Sequence, residues 1–599
     1  MKEIEPHLMS LLASRIGSIA IRMNNAMVKA ARSSVLALCR DLSSAICDGN
    51  GDVLAFPAGF PAHVGGCTLT ARSLLELQGD DLRPGDAYLH NSPYHGNTHP
   101  ADHTILVPVF HEGELMFISF CKGHQADVGN SIPTTYNAWA KDVYEEGALI
   151  FPCVRVQRDY RDVRDIIRIC RMRIRVPDVW YGDYLAMLGA ARIGERELTA
   201  LIAKYGKETI KAFCRQYHAY GEQLMKERIR KLPRGTAHFE THYDPIPNVL
   251  PEGVNVKVNV DVNPEEGTIT CDLTDNIESQ PCGINLCEAT VVAAVRTGIL
   301  NRLSIAMSEF PCCEGALSRI IVRMNEGSMV GKARHPFSSS VATNNLNDRV
   351  VAAVQCALNQ ITDYLACAEP HWEMGASIAV ISGKDRRYGN KDYVTQLHSG
   401  ISGGPGMKGH DGYLFYAIST GGMHIDNSKE MIERAYPVLY IRQDIMTDGL
   451  GAGKWDGAPT IRTIVCTTND PVTIVWVSDG HYNPARGAAG GGDGLPARTF
   501  LVKVTNGTDA ERLEELPTVH KITLQPGQGF EHIYSSSGGY GDPLERDPEM
   551  VRHRAREGWI SLQTALDVYG VVLEMEPERF AVVWKATEEL RKILKSRKQ

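Results

Sequence analysis

Two apolar runs joined by a short polar turn most strongly limit how this chain can fold. Thr104–Phe110 and Leu115–Cys121 are rich in β-branched and aromatic residues, and the tetrapeptide His-Glu-Gly-Glu lies between them. This pattern predicts an antiparallel β-hairpin in which Thr104 faces Cys121. The chain that enters the first strand would then lie beside the chain that leaves the second.

Asp102 and His124 are expected to meet at the open end of this hairpin. His99 precedes Pro100, which disfavours helix at His99 and is a natural first residue of a short helical turn that would also contain Asp102. Two imidazoles and a carboxylate at a rigid strand end suit a divalent transition metal. Mixed nitrogen and oxygen ligation favours Zn²⁺, with Fe²⁺ or Mn²⁺ as alternatives.

The same residues also fit a purely structural arrangement, in which the histidines are paired with nearby carboxylates. His95, His103 and His111 lie close in the sequence and fit either surface positions or positions behind the metal ligands. Spacing alone does not choose among these histidines.

Length and composition describe an ordinary globular protein of several domains. The chain has 599 residues, of which 43% are hydrophobic and 22% charged, and its formal net charge is −8. The length suggests about three or four domains. No run of lysine and arginine with interleaved aromatic residues occurs, so no nucleic-acid partner is expected. The charged segment Arg155–Arg175 is interpreted as a solvated helix face or subunit contact.

The sequence favours a cytoplasmic location without membrane attachment. No stretch of eighteen or more apolar residues occurs, and Glu3 and Glu5 stand where a signal peptide would carry positive charge. The 15 cysteines are scattered and odd in number, which fits a reduced interior better than a disulfide framework.

Periodicity predicts a long helix from His7 to Arg40 and two helices between Leu185 and Arg230, separated near Gly206. Asp48–Gly51 reads Asp-Gly-Asn-Gly and predicts a second hairpin, with Asp41 before its first strand. Asp41 could therefore reach the same site as Asp102 if the two hairpins are neighbours.

The patterns predict a mixed α/β (α+β) multidomain fold. We expect a metal-bearing α/β domain with β-hairpins and long helices over residues 1–235, a glycine-rich α+β region over 236–495, and a C-terminal strand-then-helix region over 496–599.

Two glycine-rich segments are interpreted as turns and close backbone packing. Gly449–Lys454 is followed by Trp455, where a phosphate-binding loop needs serine or threonine, and Gly487–Gly494 lacks the strand-to-helix frame of a dinucleotide fingerprint. If the reaction uses ATP, another chain is expected to bind it.

Several motifs together resemble the B-type (beta) subunits of the hydantoinase/5-oxoprolinase family, which includes the subunits of caprolactamase and of the acetone and acetophenone carboxylases. The motifs are DLSSAICDGNG from Asp41, GNTHPADHT around His99, GHQADVG around His124, EEGALIFP from Glu145, ATNNLNDR near Asn344, SGGPGMKGHDG near Gly403, ERAYP near Glu433 and SSSGGYGDPLERDPEMV from Ser535. The sequence departs from the family around Asp444, where RQDIMTDGLGAGKWDG replaces a run richer in serine and glycine.

The resemblance implies a metal held by Asp41, His99, Asp102 and His124. It also implies an A-type partner subunit that binds ATP and activates the substrate, in a heterotetramer of the (αβ)2 type. Because two aspartates would make a metal-bound water less acidic than an all-histidine site would, a nearby base is expected to assist. Asp127, which matches a family motif position, and His103 are the candidates.

The function expected from this resemblance is ATP-dependent hydrolysis of a lactam or another cyclic amide such as a hydantoin. A metal-activated water would attack a carbonyl that the partner subunit has helped to activate. Two alternatives stay open at this point: a ketone carboxylase subunit that uses the metal to hold an enolate, and a noncatalytic scaffold for the ATPase subunit.

Overall fold

A computed structural model describes residues 3–57, 59–303, 311–372, 375–398, 400, 402–416, 419, 421–422, 425–505, 507, 509–576 and 579–598. Helices and strands are mixed along the chain and form several sheets, so the predicted mixed α/β class is confirmed. None of the described helices is long and apolar enough to cross a bilayer. All 15 cysteines are free, as expected for a chain without a disulfide framework.

The N-terminal helix is shorter than predicted. Its apolar stripe is buried as expected, but the helix ends at Ala30 rather than Arg40. Ser33 then caps a separate short helix by accepting a hydrogen bond from the Leu36 backbone N–H at 3.2 Å. The two helices are α1 (Pro6–Ala30) and α2 (Ser34–Ala37).

A seven-stranded antiparallel sheet carries the predicted hairpins in the order β2-β1-β5-β4-β3-β6-β7. Its strands are β1 (Leu42–Asp48), β2 (Val53–Ala55), β3 (Ala87–His90), β4 (Asp102–His111), β5 (Glu114–His124), β6 (Val154–Arg158) and β7 (Arg161–Asp162). The accompanying helices are α3 (Pro61–Val64), α4 (Cys67–Gln78), α5 (Val143–Glu146), α6 (Arg164–Arg173), α7 (Pro177–Tyr205) and α8 (Lys207–Ile229).

Helices cover both faces of this sheet, so its central strands β4 and β5 are largely buried. Helices α1 and α7 contribute to the core on one face, and α4 contributes to the core on the other. The predicted break near Gly206 is confirmed, since this glycine has φ of +84° between α7 and α8. The helix predicted over Arg155–Arg175 is correct only for α6, because Val154–Arg158 pairs with β3 instead.

A four-stranded sheet follows, in the order β11-β10-β9-β8. Its strands are β8 (Gly235–Tyr243), β9 (Val254–Asn263), β10 (Thr268–Asp272) and β11 (Ile320–Arg323), and its helices are α9 (Glu288–Leu303), α10 (Glu314–Leu317) and α11 (Leu346–Asn359). Helix α11 packs on α9 and on strands β8 and β9. The core of this region is continuous with that of the first sheet.

Two further antiparallel sheets mix strands from both sides of residue 495. The elements are β12 (Val380–Asp385), β13 (Lys391–Gln396), α12 (Lys429–Ala435), β14 (Val438–Ile445), β15 (Ile461–Thr467), β16 (Val472–Val477), β17 (Arg498–Val504), β18 (Ala510–Leu516), β19 (Val519–Leu524) and β20 (Gln528–Ile533). The strand orders are β13-β12-β16-β19 and β14-β15-β20-β17-β18. The C-terminal elements are α13 (Pro548–Arg556), α14 (Leu562–Asp567), β21 (Leu573–Glu576), β22 (Arg579–Val582) and α15 (Trp584–Lys598).

The glycine-rich segments pack backbone against backbone, as predicted. A Cβ atom added to Gly491 would lie 2.1 Å from the carbonyl oxygen of Gly539, and one added to Gly494 would lie 2.0 Å from that of Ser536. The Gly449–Lys454 segment leads to strand β15 rather than directly into a helix. Neither segment therefore has the loop-to-helix geometry that binds phosphate.

The packing of α7 on the sheet gives a test of the fold. Ser119 in β5 donates a hydrogen bond to the Ala191 carbonyl of α7 at 2.9 Å. A Cβ at Gly194 would lie 2.2 Å from Ser119 Oγ and 2.7 Å from Met23 Sδ. Because relief of this clash would break the Ser119 hydrogen bond or shift α1, we expect Gly194→Ala to destabilise the protein by about 1–3 kcal/mol.

Gly189 in the same helix is the matched control, because it is exposed and a Cβ there would have no neighbour within 4 Å. Gly189→Ala should leave the unfolding midpoint unchanged or raise it, since alanine is favoured over glycine inside a helix by about 0.5–1 kcal/mol. Urea and thermal unfolding of the two variants are the measurement. Equal midpoints for both variants would contradict the described packing of α7.

Candidate metal centre

The hairpin of β4 and β5 brings Asp102 and His124 directly opposite each other at its open end. Alternation along the strands places both side chains on the sheet face that α4 covers. His99 lies in the turn before β4, where its carbonyl accepts a hydrogen bond from the Asp102 backbone N–H at 3.1 Å. The predicted meeting of these three residues is confirmed.

The register of the hairpin differs from the prediction by one residue. Thr104 pairs with Lys122 rather than with Cys121. The cause is a bulge, since Val109 pairs with Phe117 whereas the next residue of β4 pairs with Leu115, so one residue of β5 has no partner. The bulge moves Lys122, and not Cys121, onto the face of the metal centre.

Three potential ligand atoms lie close together in this buried site. His99 Nε2 is 3.0 Å from Asp102 Oδ1 and 3.2 Å from His124 Nδ1, and the latter two atoms are 3.2 Å apart. The three side chains are at most 2% exposed. Ligand atoms around a tetrahedral Zn²⁺ with bonds near 2 Å lie about 3.3 Å apart. The cluster therefore has the spacing of ligands around one small cation.

The hydrogen bond of His99 to the main chain directs its other ring nitrogen at the cluster. His99 Nδ1 lies 2.9 Å from the Ser340 carbonyl oxygen, which can only accept, so Nδ1 carries the ring proton. In the neutral ring, the lone pair of Nε2 then faces the Asp102 carboxylate and His124 Nδ1. A proton carried by His124 Nδ1 or a metal ion can occupy this position. A carbonyl behind an imidazole is the usual support of a metal-binding histidine.

The charges of Asp102 and His124 are those that metal ligands require. Burial favours the neutral acid, but the imidazoles of His99 and His63 and the hydrogen bond from His124 together hold the pKa of Asp102 well below its ordinary value. Burial lowers the pKa of His124 to about 4, although the hydrogen bond to Asp102 opposes this shift. Asp102 is thus a carboxylate and His124 a neutral imidazole at neutral pH.

Asp41 borders the cluster because the two hairpins are neighbours. Strand β1 pairs with β5, and the His124 backbone N–H donates to the Asp41 carbonyl at 3.1 Å. Oδ1 of Asp41 is buried and has no hydrogen-bond partner among the described residues. Burial, with the charge of Asp102, raises the pKa of Asp41 well above its ordinary value. An orphaned buried carboxylate oxygen fits a site that takes up a cation.

His63 is a residue of this site that the sequence did not reveal. Its Nε2 lies 3.5 Å from Asp41 Oδ1 and 3.4 Å from Asp102 Oδ2, so the imidazole lies between the two carboxyl groups without hydrogen bonding to Asp41. Its Nδ1 lies 3.3 Å from Ser43 Oγ. His63 comes from the short helix α3, and no spacing in the sequence links it to the β4–β5 hairpin.

The two predicted bases, His103 and Asp127, form hydrogen bonds with residues outside the cluster. His103 lies on the opposite sheet face, where its Nδ1 accepts a hydrogen bond from Trp180 Nε1 at 3.3 Å, and burial lowers its pKa to about 3. Asp127 accepts hydrogen bonds from the Arg175 backbone N–H at 2.6 Å and from its guanidinium at 2.9 Å. Within the described part of the chain, neither side chain hydrogen bonds with His99, Asp102 or His124.

A buried lysine supplies positive charge behind Asp102. Thr98 Oγ1 donates to Asp102 Oδ2 and lies 3.4 Å from Lys122 Nζ, which donates to it. Lys122 is fully buried, and burial lowers its pKa to about 8. Only the strand register reveals this lysine as a neighbour of the centre, and the expected pairing placed Cys121 there instead.

The segment Thr134–Asn137 covers the other side of the imidazoles. Thr135 Oγ1 lies 3.1 Å from His124 Nε2. The ring of Tyr136 is stacked against the rings of both His99 and His124. The Asn137 backbone N–H donates to Ser340 Oγ at 2.9 Å, which links this segment to the residue that orients His99. No motif in the sequence identifies Thr135 or Tyr136.

Relatives of known name match almost the whole chain. The chain is 28% identical to the caprolactamase subunit beta of Pseudomonas jessenii over 587 residues, which cover 96% of this chain and 97% of that protein. The crystal structure of the ATP-dependent caprolactamase from the same organism matches with a TM-score of 0.88 at 25% identity, over 99% of this chain and 100% of that chain.

A nucleotide-free structure of acetone carboxylase matches with a TM-score of 0.90 over 99% of this chain and 83% of that chain, and at 18% identity this shows a shared fold. The family profile for Hydantoinase B/oxoprolinase matches residues 5–543. The motifs at Asp41, His99 and His124 all fall within that match, and the chain belongs to the hydantoinase B/oxoprolinase family.

Proposed function

We propose that this chain is the metal-binding, catalytic subunit of an ATP-dependent cyclic amide hydrolase that opens a lactam or hydantoin ring. The cluster of His99, Asp102 and His124 next to the orphaned oxygen of Asp41 is the observation that carries the proposal. The similarity over nearly the full length to a protein named caprolactamase subunit beta supports the choice of a lactam.

Asp41, His99, Asp102 and His124 would hold the ion, with Zn²⁺ favoured and Mn²⁺ or Fe²⁺ as alternatives. When bound, such an ion lowers the pKa of a coordinated water towards about 7 and polarises a carbonyl group.

The surrounding residues fix the ligands in place. Ser340 and Thr135 orient the two imidazoles, while Thr98 and Lys122 hold the carboxylate of Asp102. We assign Asp127 and His103 an indirect part in this reaction. Asp127 fixes the chain that leaves β5 by binding Arg175, and His103 fixes the start of β4 against Trp180.

Coupling to ATP would supply the driving force that the opening of an unactivated lactam lacks. Amide resonance makes an unstrained lactam a poor electrophile, and the opened product can close again. The glycine-rich segments of this chain lack phosphate-binding geometry, so we propose that an A-type partner subunit binds ATP and phosphorylates the substrate. The two chains would form an (αβ)2 heterotetramer.

Removal of a ligand should abolish metal binding. We expect Asp102→Asn, which keeps the shape of the side chain, and His124→Ala to lower the affinity for the metal by more than about 100-fold, beyond the effect of losing an outer-sphere partner. Metal content by inductively coupled plasma mass spectrometry, before and after dialysis against a chelator, is the measurement. His111→Ala at the far end of β4 is the control, since that side chain is partly exposed. Variants that keep their metal would refute the proposed ligand set.

Turnover by the reconstituted complex should distinguish the candidate functions. With the purified A-type partner, ATP and labelled bicarbonate, we expect a lactam or hydantoin to open without carbon gain. Label retained in an acid formed from acetone or acetophenone would instead identify a ketone carboxylase. Full turnover by a folded Asp102→Asn complex would make the centre structural and the chain a scaffold.

A further inference from the structure

Tyr136 covers the imidazole pair of the metal centre. Its ring centroid lies 5.6 Å from that of His99 and 5.3 Å from that of His124, with interplanar angles of 22° and 20°. The side chain is 8% exposed. The position of its ring is therefore fixed by stacking, and the substitution of phenylalanine would preserve this packing.

An amide side chain holds the Tyr136 hydroxyl. Gln396 Nε2 donates to the phenolic oxygen at 3.4 Å, and Gln396 Oε1 lies 2.8 Å from His398 Nε2, which fixes the orientation of the amide. Because the oxygen accepts from this amide, its own proton is left to donate to another group.

The ring that carries this hydroxyl stacks on both proposed imidazole ligands, so the phenol adjoins the centre. An O–H group that is held by a neutral amide and lies beside a metal centre is a preorganised donor.

Resting on the proposed function, we propose that Tyr136 is a catalytic residue whose O–H donates a hydrogen bond to the amide group of the bound substrate. The acceptor is the atom that gains negative charge when water adds to the carbonyl carbon. Water adds to the carbonyl carbon of the phosphorylated amide, the C–N bond breaks as a proton goes to nitrogen, and a second water then releases inorganic phosphate from the acyl phosphate that remains. Tyr136 transfers no proton, so this balance is unchanged.

A hydrogen bond from such a donor stabilises the transition state more than it stabilises the bound substrate. In the complex with the A-type partner and ATP, we expect Tyr136→Phe to lower kcat for ring opening by about 10²- to 10³-fold, with little change in KM. Metal content and the unfolding midpoint should equal those of the wild type. Gln396→Met, which misdirects the hydroxyl, should lower kcat by about 10-fold.

Tyr184→Phe is the matched control. Its hydroxyl lies 3.3 Å from Asp162 on the other side of the sheet, and its loss should leave kcat unchanged. A Tyr136→Phe complex with kcat within about twofold of the wild type would overturn the inference. So would loss of the metal from this variant, because the phenol would then serve to hold the ligands rather than to bind the substrate. A wild-type complex that opens no cyclic amide would instead refute the proposed function, and the role of Tyr136 with it.

Discussion

The pairing of β1, β5 and β4 is the constraint on which the whole centre depends. Backbone hydrogen bonds from His124 to Asp41 and from Gln125 to Ala101 connect the ends of these three strands. Successive side chains of a strand face opposite sides of a sheet, so a slip of β4 by one residue would exchange Asp102 for His103 at the centre. The burial of both faces makes such a slip costly, because it would also turn the apolar residues of β4 out of their cores.

The two carboxyl groups of the buried centre are compensated unequally. Burial of an ionised carboxylate costs several kcal/mol unless charges and hydrogen bonds compensate it. Asp102 has that compensation from Thr98 and the imidazoles, whereas Oδ1 of Asp41 has no hydrogen-bond partner among the described residues. His63 and Lys122 are the other basic groups beside the carboxylates, and burial lowers the pKa of each. Under the proposed function a divalent ion supplies the missing charge, which would couple metal binding to the stability of the strand ends.

The sequence predicted the parts of the centre that depend on local pattern, and it failed where tertiary contacts decide. Two apolar runs and the turn between them sufficed to predict that Asp102 and His124 meet. The bulge that brings Lys122 to the centre has no clear signature in the sequence. His63 and Tyr136 reach the centre from a short helix and a loop, whose placement depends on packing against the finished sheet. The place of Asp41 in the centre was predicted only conditionally, because it depends on the order of the strands in the sheet.

The packing of the glycine-rich segments bears on which subunit would bind ATP. A phosphate-binding loop leaves its backbone N–H groups free to face the ligand. Here the backbone N–H of Gly491 donates to Ala488, and that of Gly539 donates to Gly492. Neighbouring glycines approach so closely that a methyl group would clash with a carbonyl oxygen. These N–H groups are therefore used in hydrogen bonds within the chain and do not face a ligand. Under the proposed function, this chain would hold the metal and the cyclic amide while a partner subunit binds ATP.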